Sequence, residues 1–338
     1  MKTRRFVRHA ANAFPFASGL DGRRLGIPGR RTDAAPPSTI IRAFVDATRK
    51  AHLQIHFCVV LWGFTAIFGR LISLPALPLV WWRMTLVGVI LGCLPRVWRE
   101  WRRIRWNLIA AYGGVGCVIA LHWLTFYGSI KLSNASVGAT CMALAPVFLS
   151  IVEPMIVRRP FNIRELLLGV MMVPGVVMVI GGVPGGMRGG IALGILSAFF
   201  VAVFGTLNKR LVHHADALAV TAIELAAGAL LLTLAGPLMG FRLFQLPARH
   251  DAILLILLAI GCTIVPFTIA LVALRHLSAF ATQLAVNLEP LYAIVLGAVL
   301  LHEHRQLDPL FYAGVLIILG GVFTYPLFVR EKPVPPMP

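Results

Sequence analysis

Ten apolar runs, each about as long as a helix must be to cross the hydrocarbon core of a bilayer, follow one another between residues 54 and 329. They lie near 54–72, 77–95, 107–128, 133–157, 163–181, 189–208, 217–239, 252–274, 277–301 and 308–329. The breaks are short and carry turn residues and charge, as at Leu74-Pro75, Gly181 to Gly190 and Pro247 to Asp251. Inside lipid a backbone must satisfy its own polar groups, and unbroken apolar runs of this length do so as helices. The expected fold is therefore an all-α integral membrane protein with ten transmembrane helices. With 58% hydrophobic and 13% charged residues, the composition excludes an ordinary soluble domain.

A formal net charge of +18 would suit a nucleic-acid partner, but the positions of the charges argue otherwise. Residues 1–50 hold eleven Lys and Arg against three acids, Asp21, Asp33 and Asp46, and contain no apolar core. They read as a disordered basic cytoplasmic tail or the product of an upstream start, with a faint likeness to an organelle transit peptide. The stretch Thr39 to Lys50 is expected to form a short surface helix. With the tail inside, the cytoplasmic loops gather Arg96, Arg99, Arg102, Arg103, Arg105, Arg158, Arg159, Arg164, Lys209, Arg210, Arg275, Arg330 and Lys332. Only Arg70, Lys131, Arg188, Arg242, Arg249 and Arg305 fall outside. That bias predicts a multi-pass protein of the inner cell membrane with both termini cytoplasmic. The expected partners are the lipid bilayer and a small-molecule substrate, with no nucleic acid; the sequence leaves room for a homodimer. Cys58, Cys93, Cys117, Cys141 and Cys262 lie in apolar runs without a CxxC, which suggests neither a disulfide framework nor a metal site, and no motif calls for a cofactor.

The runs repeat. The fourth opens LSNASVGATCMALAP from Leu132 and the ninth LSAFATQLAVNLEP from Leu277, each with a mid-span proline, Pro146 and Pro290. Phe64, Ala66, Phe68 and Gly69 in the first run match Phe200, Ala202, Phe204 and Gly205 in the sixth. Two five-helix halves follow, 54–181 and 189–329. Because five is odd, the second half enters the membrane from the opposite side, giving inverted repeats.

These features, with FYGSIKLSNASVGA across the third and fourth spans and NLEPLYAIVLGAVLLHE in the ninth, resemble the EamA-type members of the drug/metabolite transporter superfamily. The resemblance covers about residues 54–329. It implies export of small metabolites or amino-acid-like compounds by alternating access. Members usually carry, in each half, a Pro followed thirteen residues later by a Glu. Pro290 and Glu303 fit, but the residue matching Glu303 in the first half is Arg159, which puts a second such Glu in doubt.

Polar residues inside the spans mark the candidate site, since each costs on the order of 3 kcal/mol in hydrocarbon unless it faces protein or water. Glu289, midway along the ninth span, is the candidate for proton coupling; otherwise it serves the backbone disturbed by Pro290 or pairs with a fixed Arg. Arg83, in LVWWRMTL of the second span, suits a substrate carboxylate, or else snorkels to the interface with Trp81 and Trp82. His122, Trp123 and Tyr127 come from the third span, where Trp123 and Tyr127 share a helix face that suits either stacking or packing. From the second half come Glu224, Gln283 and Asn287, the last two sharing a face of the ninth helix. Glu153 reads as a loop-side ion-pair partner of Arg158 and Arg159. Catalytic signatures are missing: His302-Glu303-His304 is not HExxH, and neither GxSxG nor a phosphate-binding glycine loop occurs. The sequence therefore reads as a carrier rather than an enzyme, the alternative being a multi-span enzyme acting on a lipid or lipid-linked substrate.

Overall fold

Pro95, Pro146, Pro266 and Pro290 decide where the long helices of this chain break. The computed structural model describes residues 37–328, so most of the basic tail assigned to residues 1–50 lies outside the described residues. The membrane-length helices lie within the unit Ala43–Pro338. Helix α1 spans Pro37–Leu71, so the expected surface helix at Thr39 to Lys50 is continuous with the first apolar run. Then come α2 (Ala76–Gly92), α3 (Pro95–Trp101), α4 (Trp106–Leu132), α5 (Ala135–Cys141) and α6 (Ala145–Val157). After them run α7 (Ile163–Gly181), α8 (Arg188–Leu211), α9 (Ala217–Leu238), α10 (Arg249–Ala259) and α11 (Val265–Ala273). Helices α12 (Ala279–Val286), α13 (Glu289–Leu300) and α14 (Pro309–Phe328) end the series.

Among the described residues there is no strand, and eight helices are long and apolar enough to cross a membrane. A ninth is added if α2 and α3 count as one span, although they are bent by 89°. The bend falls at Leu94-Pro95, where proline forces the preceding residue out of helical geometry. The tenth expected run is α14, of which Pro309–Gly321 counts as a shorter apolar helix.

Two broken spans lie at the centre. In the span α5–α6 a 3₁₀ turn, Met142–Leu144, precedes Pro146; in α12–α13 the break at Asn287-Leu288 precedes Pro290. Helix α5 packs against α13 and α12 against α6, so the two spans run side by side in opposite directions. Around them α4 packs on α8 and α9, α9 on α2, and α7 on α14. The α4–α9 crossing is close because Gly116 has no side chain: a Cβ there would lie 2.8 Å from the Cα of Glu224.

The halves match in detail. Lys131 donates to the Ile72 carbonyl at the end of α1, and Arg275 to the Ala215 carbonyl beyond the end of α8. Asn134 caps α5 and Ser278 caps α12, through bonds to Val137 N and Ala281 N. Arg158 and His302, which follow the broken spans closely, are the non-glycine residues with positive φ among those described, at 58° and 55°. These pairs keep the same spacing as Pro146 and Pro290. The two Leu-Ser pairs are one residue out of that register, so their match is a coincidence of composition.

The same register explains the missing acid. Glu303 folds back so that its carboxylate accepts from Ala135 N (2.9 Å), Ser136 N (2.9 Å) and Ser136 Oγ (2.6 Å) at the start of α5. Its counterpart in the first half is Glu153, which accepts from Ala279 N (3.3 Å) and Phe280 N (3.1 Å) at the start of α12. Glu153 also pairs with Arg159 at 3.3 Å, as the sequence suggested, but its second role is the cap. In the repeat register Glu153 corresponds to Gly297, and a Cβ at Gly297 would lie 2.8 Å from the Glu303 carboxylate. Each half thus places one carboxylate on the other half's broken helix, from the helix itself in the first and from beyond it in the second. Arg159 also binds Glu165; burial pulls the guanidinium pKa down, but its two carboxylates outweigh that and hold it above the ordinary arginine value.

Left-handed backbone at a branched or long side chain costs on the order of 1 kcal/mol, and both Arg158 and His302 are exposed. The variants Arg158→Gly and His302→Gly are expected to raise the thermal midpoint of the purified protein by a few degrees each. An unchanged or lower midpoint in both would show that these residues contribute contacts worth more than the strain.

Candidate functional site

The π-turn Ile260–Ile264 and Pro266 prepare the site from the α10–α11 span. Proline has no N–H, so the carbonyl four residues back, that of Cys262, has no helical partner. Arg83 takes it: Nη2 donates to Cys262 O at 3.0 Å, Nε to Thr263 Oγ1 at 2.7 Å, and Nη1 to Tyr127 Oη at 2.7 Å. The guanidinium carbon lies 3.7 Å from the Trp123 ring centroid, a cation–π contact. Arg83 is 1% exposed, so it does not snorkel to the interface. A guanidinium has five N–H donors, and three are used here. Among the described residues no carboxylate is within ion-pair distance of it.

Arg83 forms part of the wall of a cavity of about 120 Å³, enough for several waters or the head of a small solute. The wall is mostly apolar, and five of its members are aromatic: Trp62, Trp123, Phe126, Phe204 and Phe267. Its polar members besides Arg83 include Thr65, His122, Asn208, Thr282, Gln283 and Glu289. The cavity runs from the central breaks toward Leu274 and Ala279, the end of the bundle that carries the Lys209 to Asp216 and Arg275 to Ser278 connections. At the other end Ser73 joins Asp251 through N–Oδ1 (3.0 Å) and Oγ–Oδ2 (2.6 Å) contacts, which tie the α1–α2 turn to α10.

Glu289 stands in the first turn of α13, where the helix dipole favours a negative charge, and it is close enough to Arg83 to feel its field. It makes no hydrogen bond among the described residues. His122 is held by Ser197: Nδ1 lies 2.8 Å from Ser197 Oγ and 3.0 Å from its carbonyl oxygen, and the hydroxyl donates to the His122 carbonyl. Gln283 keeps Nε2 without a partner.

Of the sequence candidates, Arg83, His122, Trp123, Gln283 and Glu289 thus share one cavity. Tyr127, Asn287 and Glu224 do not line it. Tyr127 lies behind Arg83 as its support. Asn287 sits where α12 ends, so it leaves the face it would share with Gln283 and donates from Nδ2 to Ala143 O (3.3 Å) at the opposing break. Glu224 is fully enclosed between helices α4 and α9, which the glycine-allowed approach at Gly116 seals. Sequence reasoning missed Thr263 and the Cys262 carbonyl, for which Pro266 was the signal. It also missed Asn208, overshadowed by Lys209, and the aromatics Phe204 and Phe267, which in sequence are indistinguishable from lipid-facing residues.

The model of the EamA-like transporter family matches the chain twice, at residues 49–181 and 188–327. No curated protein matches its sequence significantly. A solved crystal structure, titled only as that of a protein, superposes with a TM-score of 0.61 at 15% identity, covering 83% of this chain and 99% of its own. At that identity the likeness speaks for the fold alone.

Proposed function

The chain belongs to the EamA-like transporter family, as a multi-pass membrane protein built of two EamA repeats, and on that premise we propose that it exports a small zwitterionic or carboxylate-bearing metabolite. The observation that carries this reading is Arg83, a buried cation with free donors and no ion-pair partner among the described residues, in the wall of an aromatic-lined cavity between the two repeats. A buried charge without a partner is costly, and a ligand carboxylate satisfies it through a two-pronged contact. The five rings hold the apolar body. Glu289 receives the ammonium group of the solute, and a proton replaces that group when the solute leaves, so that export is exchanged for proton entry.

Read as ten spans in two inverted halves with both termini in the cytoplasm, the chain has the Leu274 and Ala279 end of its cavity at the basic, cytoplasmic face. The state described is then inward-facing, with the Ser73–Asp251 contact among those closing the outer side. Alternating access follows if the halves rock about the paired broken spans. Family membership weighs against the alternative of a lipid-modifying enzyme.

Purified protein in proteoliposomes is expected to drive counterflow of at least one zwitterionic or carboxylate solute from a screen; a folded protein that moves none of them overturns the substrate class. In the same vesicles, Glu289→Gln is expected to abolish the flux driven by a pH gradient while leaving the detergent elution profile unchanged. Flux equal to wild type at every pH would assign Glu289 a purely structural role.

A further inference from the structure

Glu224 was expected among the substrate ligands, yet it lies outside the cavity and is wholly buried. Neither of its carboxyl oxygens makes a hydrogen bond of good geometry. The polar side chain within its reach is Asn208 of α8, whose Oδ1 is likewise buried without a partner. The oxygens of both side chains are thus buried acceptors without a donor, which is unfavourable because each forfeits its hydration without compensation. One proton resolves both once the Asn208 amide is turned with its oxygen toward the carboxyl group: a neutral Glu224 then donates its O–H to Asn208 Oδ1.

The surrounding charges do not offer another solution. Arg83 on α2 is committed to Thr263, Tyr127 and Cys262. Lys209, next to Asn208, donates to the carbonyls of Leu274 (2.7 Å) and Leu277 (2.5 Å). Arg275 donates to Ala215 O (3.0 Å), and Arg96, at the start of α3, pairs with Asp216 (2.9 Å). Tyr112, on the α4 face toward Glu224, gives its hydroxyl proton to Leu211 O (3.0 Å). An ionised Glu224 would therefore stand in a dry interior without an ion pair among the described residues.

We propose that Glu224 and Asn208 form a proton-binding site separate from Glu289, in which the carboxyl group is held as the neutral acid and hydrogen-bonded to the amide. The proton comes from cytoplasmic water, so no other reactant is needed. Asn208 gives the site its link to transport, because it lines both the central cavity and a narrow crevice with Tyr112, Val212 and Ala215 beside the α8–α9 connection. That crevice has no room for a water molecule in this conformation. The proton is therefore sealed in here and exchanges only when α8 and α9 move apart. Glu289, by contrast, faces the cavity directly.

The assignment does not depend on the identity of the solute, and its test reads no flux. Infrared spectra of the protein in lipid nanodiscs at neutral pH should show a protonated carboxyl C=O stretch that is lost in Glu224→Gln and retained in Glu289→Gln. In Asn208→Leu the same band should move to higher frequency, because the acceptor for the O–H is gone. Absence of any band attributable to Glu224 at neutral pH overturns the proposal. A Glu224 band that does not move in Asn208→Leu overturns the pairing. If Glu224→Gln does not fold, the Asn208→Leu spectrum decides the matter by itself, since it reads the native Glu224.

Discussion

Replacing Glu303 by Gln is expected to cost about 3 kcal/mol of stability, seen as a fall of roughly 5 to 10 °C in the thermal midpoint of the detergent-solubilised protein. The carboxylate is 2% exposed and accepts three hydrogen bonds, two from backbone N–H groups that open α5 and one from Ser136 Oγ. Hydrogen bonds to an ionised group contribute about 1.5 to 3 kcal/mol each. The helix dipole adds to them, since the negative charge sits on the N-terminus. An amide offers one oxygen where two are needed, and its NH₂ would point at an N–H donor. Ser136→Ala removes the 2.6 Å bond alone and should cost about 1 kcal/mol. Glu153→Gln should fall between the two, because its bonds to α12 are longer and Arg159 would lose one of its two carboxylates. If Glu303→Gln melted with the wild type, the reciprocal capping of the two halves would carry little of the stability.

The broken spans also show how far sequence could go. Spans, breaks and family resemblance could be read because bilayer length, proline and charge are one-dimensional signals. The polar core of the site was partly legible for a related reason: Arg83, His122, Gln283 and Glu289 are expensive at depth and stand out against apolar neighbours. What could not be read was which side of a helix each polar group faces after the helix breaks. Asn287 changes partner because α12 ends at Val286, and Glu224 is sealed away because Gly116 lets two backbones meet. The second capping acid was hidden by an exchange of positions, with Glu153 opposite Gly297 and Arg159 opposite Glu303. Alignment compares residues in register, whereas the cap requires only that a carboxylate arrive at the same place in space. The Leu-Ser match misled in the opposite sense, since two residues of common type aligned where the structure is offset by one.

Arg83→Lys is the substitution expected to affect transport most, raising the half-saturation concentration for solute by about 10- to 100-fold while leaving the elution profile and membrane insertion unchanged. Lysine keeps the positive charge, so the comparison isolates geometry. Arg83 is positioned by Thr263 Oγ1, Tyr127 Oη and the Cys262 carbonyl, and is braced on the Trp123 ring, which leaves two N–H groups in fixed directions. An ammonium on a flexible stem cannot hold those three partners and still present a two-pronged face to a carboxylate. The loss is one charge-assisted contact, and 1.4 kcal/mol is a factor of ten. Thr263→Val supplies the discriminating control. It removes one support of the guanidinium without touching its charge, so a smaller rise in half-saturation is expected, together with little further effect when it is combined with Arg83→Lys. Additive effects in the double variant would mean that Thr263 acts on the solute independently. If Arg83→Lys transported with wild-type affinity, the cation would be serving only the packing of α2 on the π-turn Ile260–Ile264, and the solute's anionic group would have to be sought elsewhere in the cavity.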